Sequence, residues 1–495
     1  MSLHVLMVAA EAVPLAKTGG LGDMVGAFAP ALHRSDVRVT LMLPGWPEAL
    51  AAVGDAREVA RFDDLPGGPA TLLAATLPGT DVPLLLLRND ALFGREGPLY
   101  VDADGQEYAD NPLRFGAFCR AAARVAAGLP GLPAVDVVHA HDWHAGLVPL
   151  FVRETGAPVR TLFTIHNLAF QGNYPLAWMD TLDLPAEARG SEGCEFWGQL
   201  SFVKAGLVYA DRLNTVSPSH AREIVTPEAG HGMDGVLRPR ADRLSGILNG
   251  IDTGVWNPAL DPLLPKGFSA ADPAGKHRCK AALQHRLGLP EDAFAPVVAL
   301  GSRLTHQKMA DVALEALPFL LNRYPRLQVA VLGCGQPQYE QGFRMLQQRY
   351  PRRVVVHIGY TEALAHLLHG GANILLHGSR FEPCGLAPLY AMRYGTIPVA
   401  SRVGGLADTI ADPVEHDPQV ARANGFLFDG AEPAAMVEAV ERALAAYSQP
   451  RVWRQLQRNA MQADFGWQPS VAHYLALYAG LIGPRPETAS RQATA

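Results

Sequence analysis

The strongest constraint on this chain is an alternation. Short apolar runs, β-branched or leucine-rich and bounded by turn residues, repeatedly give way to Ala/Leu/Arg segments with helical spacing. In the first half the runs predict buried strands at residues 5–9, 37–43, 84–87, 135–139, 161–165 and 213–216. In the second half they recur at 297–300, 329–332, 354–358, 374–376, 397–400 and 426–428. Segments 309–321 and 434–447 carry the helical spacing most plainly. Strands that are apolar throughout, alternating with helices, imply an α/β chain of parallel sheets covered on both faces. The alternation pauses between about Leu244 and Pro296, where Asn249-Gly250 marks a turn. The expected organisation is a first doubly wound domain over 1–245, a linker at 246–253 and a second such domain over 254–465. A final helix at 466–482 and a polar, disordered tail from 483 complete it. In such sheets ligands bind beyond the carboxyl ends of the strands, so two facing domains are expected to form a cleft.

Charge narrows the partners. Acidic residues outnumber basic ones, 48 to 42, and the pI is near 6.3. A nucleic-acid-binding surface, with its basic stripe, is not expected. Of the basic residues 36 are Arg and only six are Lys: Lys17, Lys204, Lys266, Lys276, Lys280 and Lys308. Each lysine therefore stands where arginine is the default. The five cysteines are odd in number, widely spaced and form no C-x-x-C pair, so neither a disulfide framework nor a Cys-rich zinc site is expected. No uncharged apolar stretch approaches the ~18 residues of a membrane span, and the N-terminus lacks a basic signal-peptide region. A cytoplasmic protein with no membrane partner is the expectation.

Five loops carry chemistry. Lys17-Thr-Gly-Gly-Leu-Gly-Asp23 follows the first strand and precedes a helix. Its glycines let backbone amides approach an anion, and Lys17 adds a mobile charge. The same segment also reads as an ordinary βα turn. It lacks the third glycine of a dinucleotide fingerprint, and its Lys-Thr precedes the glycines instead of following them as in a P-loop. His139-Ala-His-Asp-Trp-His144 lies at a strand end. Its three histidines suggest zinc only weakly, because no further ligand completes a known spacing. A sugar-binding edge with Asp142 accepting hydroxyl hydrogens fits better. Thr164-Ile-His-Asn-Leu-Ala-Phe-Gln-Gly172 offers His166 as hydrogen-bond partner, acid or base, or as a structural histidine.

In the second half, Arg303 and Lys308 of Gly301-Ser-Arg-Leu-Thr-His-Gln-Lys308 can converge on one diphosphate, or form a solvated basic turn. Glu382 of Ser379-Arg-Phe-Glu-Pro-Cys-Gly-Leu386 stands at a helix start. It can fix sugar hydroxyls or cap the helix, while the amides of Gly385 and Leu386 can meet phosphate. Cys384 is reactive or an inert buried thiol. Asp102-Ala-Asp104 reads as surface loop and not as a metal pair.

In this order, and together with Thr215–Ile224, Gly246–Asp252, Trp256-Asn-Pro258, His357–Glu362 and Gly404–Thr409, these segments resemble the bacterial glycogen synthase and plant starch synthase family. The resemblance spans residues ~5 to ~470. It implies two Rossmann-like domains facing a cleft, the GT-B arrangement, with the last helix crossing back to the first domain. It implies transfer of glucose, with retention, from ADP-glucose to the non-reducing end of an α-1,4-glucan, with no metal and no other cofactor. By position, Lys17, Gly19 and Gly20 would meet the donor diphosphate and acceptor side, and Arg303 and Lys308 would neutralise the departing ADP. Asp23, His166, Asn249 and Glu382 would line the donor glucose, with Asp142, Asn167, Cys384, Gly385 and Leu386 among the binding residues. Tyr360 would lie near the base. His166, Glu382, Arg303 and Lys308 form the catalytic set. Without an obvious second carboxylate, front-face attack assisted by the leaving phosphate is expected over double displacement.

Some positions depart from the family pattern. Ala387-Pro388 stands where Thr-Gln is usual, Met309 where a Gly is usual, and His377-Gly378 where a Pro precedes Ser379. Two other readings follow: a transferase of the same fold with a small sugar acceptor, of sucrose or trehalose type, and a non-catalytic glucan-binding homologue.

Overall fold

The computed structural model describes residues 3–102, 104–413 and 423–483. The tail expected from 483 lies, from residue 484 on, outside the described residues. The chain divides into two compact units: residues 1–216, 221–250 and 467–495, and residues 217–220 and 251–466.

The first unit is built on β1 (His4–Val8), β2 (Arg38–Pro44), β3 (Arg57–Phe62), β4 (Ala70–Thr76), β5 (Pro83–Arg88), β6 (Val137–His141), β7 (Arg160–Ile165), β11 (Arg212–Thr215) and β12 (Leu244–Gly246). β8 (Asn173–Pro175), β9 (Glu195–Phe196) and β10 (Gln199–Ser201) form a separate small antiparallel sheet. The large sheet runs β12-β11-β7-β6-β1-β2-β5-β4-β3. It is parallel from β12 to β5, and β4 and β3 add an antiparallel edge. β1, His-Val-Leu-Met-Val, is buried at every residue, as a strand covered on both faces must be.

The sequence expectation omits β3, β4, the small sheet and β12. β3, Arg-Glu-Val-Ala-Arg-Phe, mixes charged and apolar residues at the sheet edge, and β4 is rich in Ala and Thr, so neither reads as a buried run. The strand expected at 135–139 is displaced: it runs from Val137 to His141. His139 and His141 therefore share one face of it, while His144 belongs to the turn Trp143–Ala145.

The second unit holds β13 (Val297–Gly301), β14 (Gln328–Gly333), β15 (Val354–Ile358), β16 (Ile374–His377), β17 (Ile397–Ser401) and β18 (Phe426–Phe428). All are parallel, in the order β15-β14-β13-β16-β17-β18. The expected boundary at 245 needs one correction. Ser217–His220 goes with the second unit, where the Ser217 hydroxyl donates to the Pro383 carbonyl at 2.6 Å and Ser219 binds the Asp408 carboxylate.

The supposed pause before Pro296 contains a helix, Ala274–Leu287. Its buried face carries Lys276, Lys280 and Gln284, so no apolar stripe announces it. Lys276 Nζ donates to the carbonyls of His369, Gly370 and Tyr394 and to the Thr396 hydroxyl, at 2.8–3.2 Å. Lys280 clamps the carbonyls of Ala293 and Ala295, and Lys204 of the first unit does the same to those of Ser191 and Glu195. Three of the six lysines are thus compact ammonium clamps on backbone carbonyls, a task suited to a point charge with three donors.

The helix Trp467–Ile482 belongs to the first unit, although the second unit's residues precede it in the chain. Trp467 and Tyr474 pack on Phe28, with ring centroids 5.0 and 4.4 Å away. Tyr474 accepts from Asn214 at 3.0 Å, and the Tyr478 hydroxyl meets His139 Nδ1 at 2.8 Å.

Candidate active site

In the first unit three neighbouring parallel strands, β7, β6 and β1, end on one edge of the sheet. The chain leaves β1 toward β2 on one side and returns at β6 on the other, which makes this edge a topological switch point. The Lys17 loop follows β1, Asp142 follows β6 and His166 follows β7.

Glu11, which the sequence reading missed, organises the Lys17 loop. Its carboxylate is buried and accepts the amides of Thr18 and Gly19, at 2.6 and 3.2 Å, and the Tyr100 hydroxyl at 2.7 Å. The Gly19 amide, expected to meet phosphate, is therefore already engaged. The first turn of the helix Gly20–His33 retains amides without intrahelical partners. Lys17 is exposed and pairs with Asp23 at 2.7 Å. A Cβ on Gly22 would come within 3.1 Å of the Ala16 carbonyl and 3.3 Å of Glu11, so glycine fits where loop and helix close up.

Asp142 turns one carboxylate oxygen inward. It is buried, its Oδ1 accepts the backbone amides of His166 and Asn167 at 3.2 and 3.5 Å, and burial raises its pKa to about 7. It braces the turn that presents His166. Asn167 uses its side-chain oxygen on the Ala169 amide. His166 Nε2 meets His141 Nδ1 at 3.0 Å, and His141 stacks on His139 with centroids 4.0 Å apart. Burial lowers the pKa of His166 to about 3, so near neutrality it is a neutral hydrogen-bonding group. Asn249 is buried, and its Oδ1 meets no hydrogen-bond donor among the described residues.

In the second unit the switch point lies between β13 and β16. The chain runs from β13 outward to β15, then resumes on the other flank at β16. The loop after β13 carries Arg303 and Lys308, and the loop after β16 carries Glu382. They meet: Lys308 and Glu382 form an ion pair, with side chains 12% and 9% exposed. Glu382 Oε2 also accepts from Ser379 at 2.9 Å and contacts His377 Nε2 at 3.0 Å. Burial alone would raise the pKa of Glu382, but the Lys308 charge and the His377 hydrogen bond prevail and hold it well below the usual carboxylate range. The two loops are tied further. Arg380 grips Asp311 through both carboxylate oxygens at 2.8 and 3.0 Å, and its amide donates to the Gln307 carbonyl at 2.9 Å.

Arg303, in the same loop as Lys308, is exposed, and its guanidinium donates to the Gln307 side chain at 3.4 Å. Gly385 takes φ +87°, and a Cβ there would sit 2.6 Å from Leu406, so only glycine serves. It opens the helix Leu386–Arg393, whose first amides have no intrahelical acceptor. Pro388 falls in that first turn, where a missing amide breaks no helical bond. Cys384 is buried. Tyr360 follows β15, two strands from β13, and is exposed, its hydroxyl on Glu362 at 2.6 Å. Of the partners missed, Ser379 was legible as a Ser-x-x-Glu spacing. Glu11, Tyr100, His141 and His377 carry no such local signal.

Buried histidines give the chain an acid liability. His139, His141, His144, His369 and His377 all have pKa values lowered, chiefly by burial. Below ~6.5 the unfolded chain binds protons at these sites that the folded chain refuses, so stability falls as pH falls. Each such group contributes a slope of about 1.4 kcal/mol per pH unit. Asp142 and Glu11, raised by burial, act in the opposite sense but are outnumbered. Thermal melts from pH 7.5 to 5 should show a steadily falling Tm; a Tm that holds or rises would contradict this.

Residues 4–239 match the family model described as starch synthase catalytic domain, and residues 287–460 match that of group 1 glycosyl transferases. A glycogen synthase of Ralstonia nicotianae is 60% identical over 97% of this chain and 88% of its own length. The chain belongs to the glycogen synthase and starch synthase family. A glycogen synthase of Bordetella petrii is 52% identical over 96% of this chain and 92% of its own. Among solved structures, the catalytic domain of starch synthase IV from Arabidopsis thaliana, bound to ADP and acarbose, superposes with a TM-score of 0.86. It is 30% identical, over 97% of this chain and all of that one. Sucrose-phosphate synthase from Thermosynechococcus elongatus, 20% identical with a TM-score of 0.59, shares the fold. The two doubly wound units are those of a GT-B glycosyltransferase. The starch synthase segment carries the Lys17, Asp142 and His166 loops, and the group 1 segment carries Arg303, Lys308 and Glu382.

Proposed function

We propose that this chain is a glycogen synthase: it transfers glucose, with retention, from ADP-glucose to the non-reducing end of an α-1,4-glucan, without a metal. The observation that carries the reading is the Lys308–Glu382 ion pair at the switch point of the second unit, with exposed Arg303 in the adjoining loop. The difficult step is expulsion of a nucleoside diphosphate whose charge grows as the glycosidic bond breaks. Fixed cations in a partly dry site stabilise that charge. Lys308 and Arg303 serve the phosphates, with the first amides of the helix Leu386–Arg393, which follows Glu382 in sequence. Glu382 holds sugar hydroxyls through Oε1, which no hydrogen bond engages among the described residues. Lys17 and Asp23 of the first unit serve the donor phosphate and sugar, and His166 contributes as a neutral hydrogen-bonding partner.

The charge state of Glu382 also supports front-face attack. A carboxylate whose Oε2 already has three partners and whose pKa is strongly depressed is a poor nucleophile. Trapping a covalent glucosyl group on Glu382 would refute this route. The donor and acceptor are tested by supplying purified protein with glycogen and either ADP-glucose or UDP-glucose. ADP release coupled to glycogen elongation is expected. Transfer to small sugars instead would favour a small-acceptor enzyme, and no transfer from any donor would favour a binding protein.

A further inference from the structure

His377 is the last residue of β16 and lies where nothing in the proposed chemistry calls for it. Its side chain is 3% exposed. Nε2 stands 3.0 Å from Glu382 Oε2, and Nδ1 is buried with no hydrogen-bond partner among the described residues. These two facts fix the ring. A carboxylate oxygen can only accept here, so Nε2 carries a hydrogen. A second hydrogen on Nδ1 would be a buried donor with nothing to receive it, so Nδ1 stays a bare lone pair. The Lys308 ammonium on the same oxygen adds to burial in opposing a charged ring.

We propose that His377 is a positioning residue: as a neutral Nε2–H donor it joins Lys308 and Ser379 in saturating Glu382 Oε2, so that the carboxylate is locked in rotation and Oε1 alone is presented to substrate. Three donors from three directions hold one oxygen: Lys308 from the loop after β13, Ser379 from the loop after β16, and His377 from the strand itself. The strand-borne donor is the rigid one, because β16 is hydrogen-bonded between β13 and β17. His377 does not touch substrate in this scheme. It acts through Glu382, and its importance for turnover rests on the glycogen synthase reading above.

The test separates that dependence. Long-range proton–nitrogen NMR on ligand-free, histidine-labelled protein, assigned by His377→Leu, should show His377 as the Nε2–H tautomer across pH 6–8. An Nδ1–H pattern, or a ring that titrates in that range, overturns the proposal whatever the enzyme does. In glucosyl transfer, His377→Leu should lower kcat about 10–100-fold with little change in KM for the donor, as expected for loss of a hydrogen bond to a charged group. His377→Gln places an amide donor at the position of Nε2 and should recover most of that loss. A kcat within twofold of wild type in His377→Leu, or a Gln variant as impaired as the Leu variant, overturns the proposal. Wild type inactive with every donor would instead sink the functional reading and leave the NMR result standing.

Discussion

Glu382→Ala is expected to reduce glucosyl transfer by about a hundred- to a thousandfold, the scale seen when a preorganised group is taken from a transition state. The same change should destabilise the fold, because it leaves the Lys308 ammonium buried without its counter-ion. Breaking one side of a buried pair costs about 3–5 kcal/mol. Lys308→Met alone strands the carboxylate in the same way, although His377 and Ser379 still donate to it. The double variant removes both charges and should regain much of the stability while remaining inactive. Transfer rates with denaturant unfolding of all three variants read the two effects separately. If the double variant were active, or if Glu382→Ala kept more than a tenth of the wild-type kcat, the assignment of the site would fail.

Lys276→Met should give the largest loss of stability outside the site. The ammonium holds three carbonyls and one hydroxyl that are otherwise buried, and burial lowers its own pKa to about 7. Each acceptor left without a partner costs about 1–3 kcal/mol, partly offset where Thr396 can still serve the His369 carbonyl, so a net loss of roughly 3–5 kcal/mol is expected. The chain has two units, so a single midpoint is a poor readout. Hydrogen exchange followed by mass spectrometry resolves them: protection should fall in peptides of the second unit and hold in those of the first. A loss under about 0.5 kcal/mol, or one spread evenly over both units, would show that the clamp is dispensable.

The parts of the fold that could be read from the chain are those whose burial is written in consecutive residues. β1 and β13 are covered on both faces and therefore almost wholly apolar, His4 at the start of β1 excepted. β3 and β4 escaped because an edge hairpin is only half buried, and half burial in a short Ala- and Arg-containing stretch leaves a weak pattern. The helix Ala274–Leu287 escaped for another reason: its buried side mixes Cys279 and Leu283 with Lys276, Lys280 and Gln284, whose polar ends are satisfied by backbone carbonyls. The site divides in the same way. Lys17, His166, Arg303, Lys308 and Glu382 stand in loops after strands, where topology directs attention. That Lys308 would close on Glu382, 74 positions away, and that Glu11 would take the Gly19 amide, depend on which strands become neighbours. Asp142 shows what residue type alone leaves out: one of its carboxylate oxygens accepts two backbone amides of the turn that presents His166.

The helix Trp467–Ile482 has a consequence for the order of assembly. It supplies Trp467, Tyr474 and Tyr478 to the core of the first unit, yet 251–466 must be made before it. At ~5–20 residues per second, a ribosome needs about 10–40 s to cross that interval. Through that time His139 lacks the Tyr478 hydroxyl and Phe28 lacks its aromatic cover. The second unit, continuous but for Ser217–His220, has almost all of its chain in hand as the interval closes. The first unit begins earlier and finishes later, so a truncation near the C-terminus strikes the half of the molecule that was synthesised first.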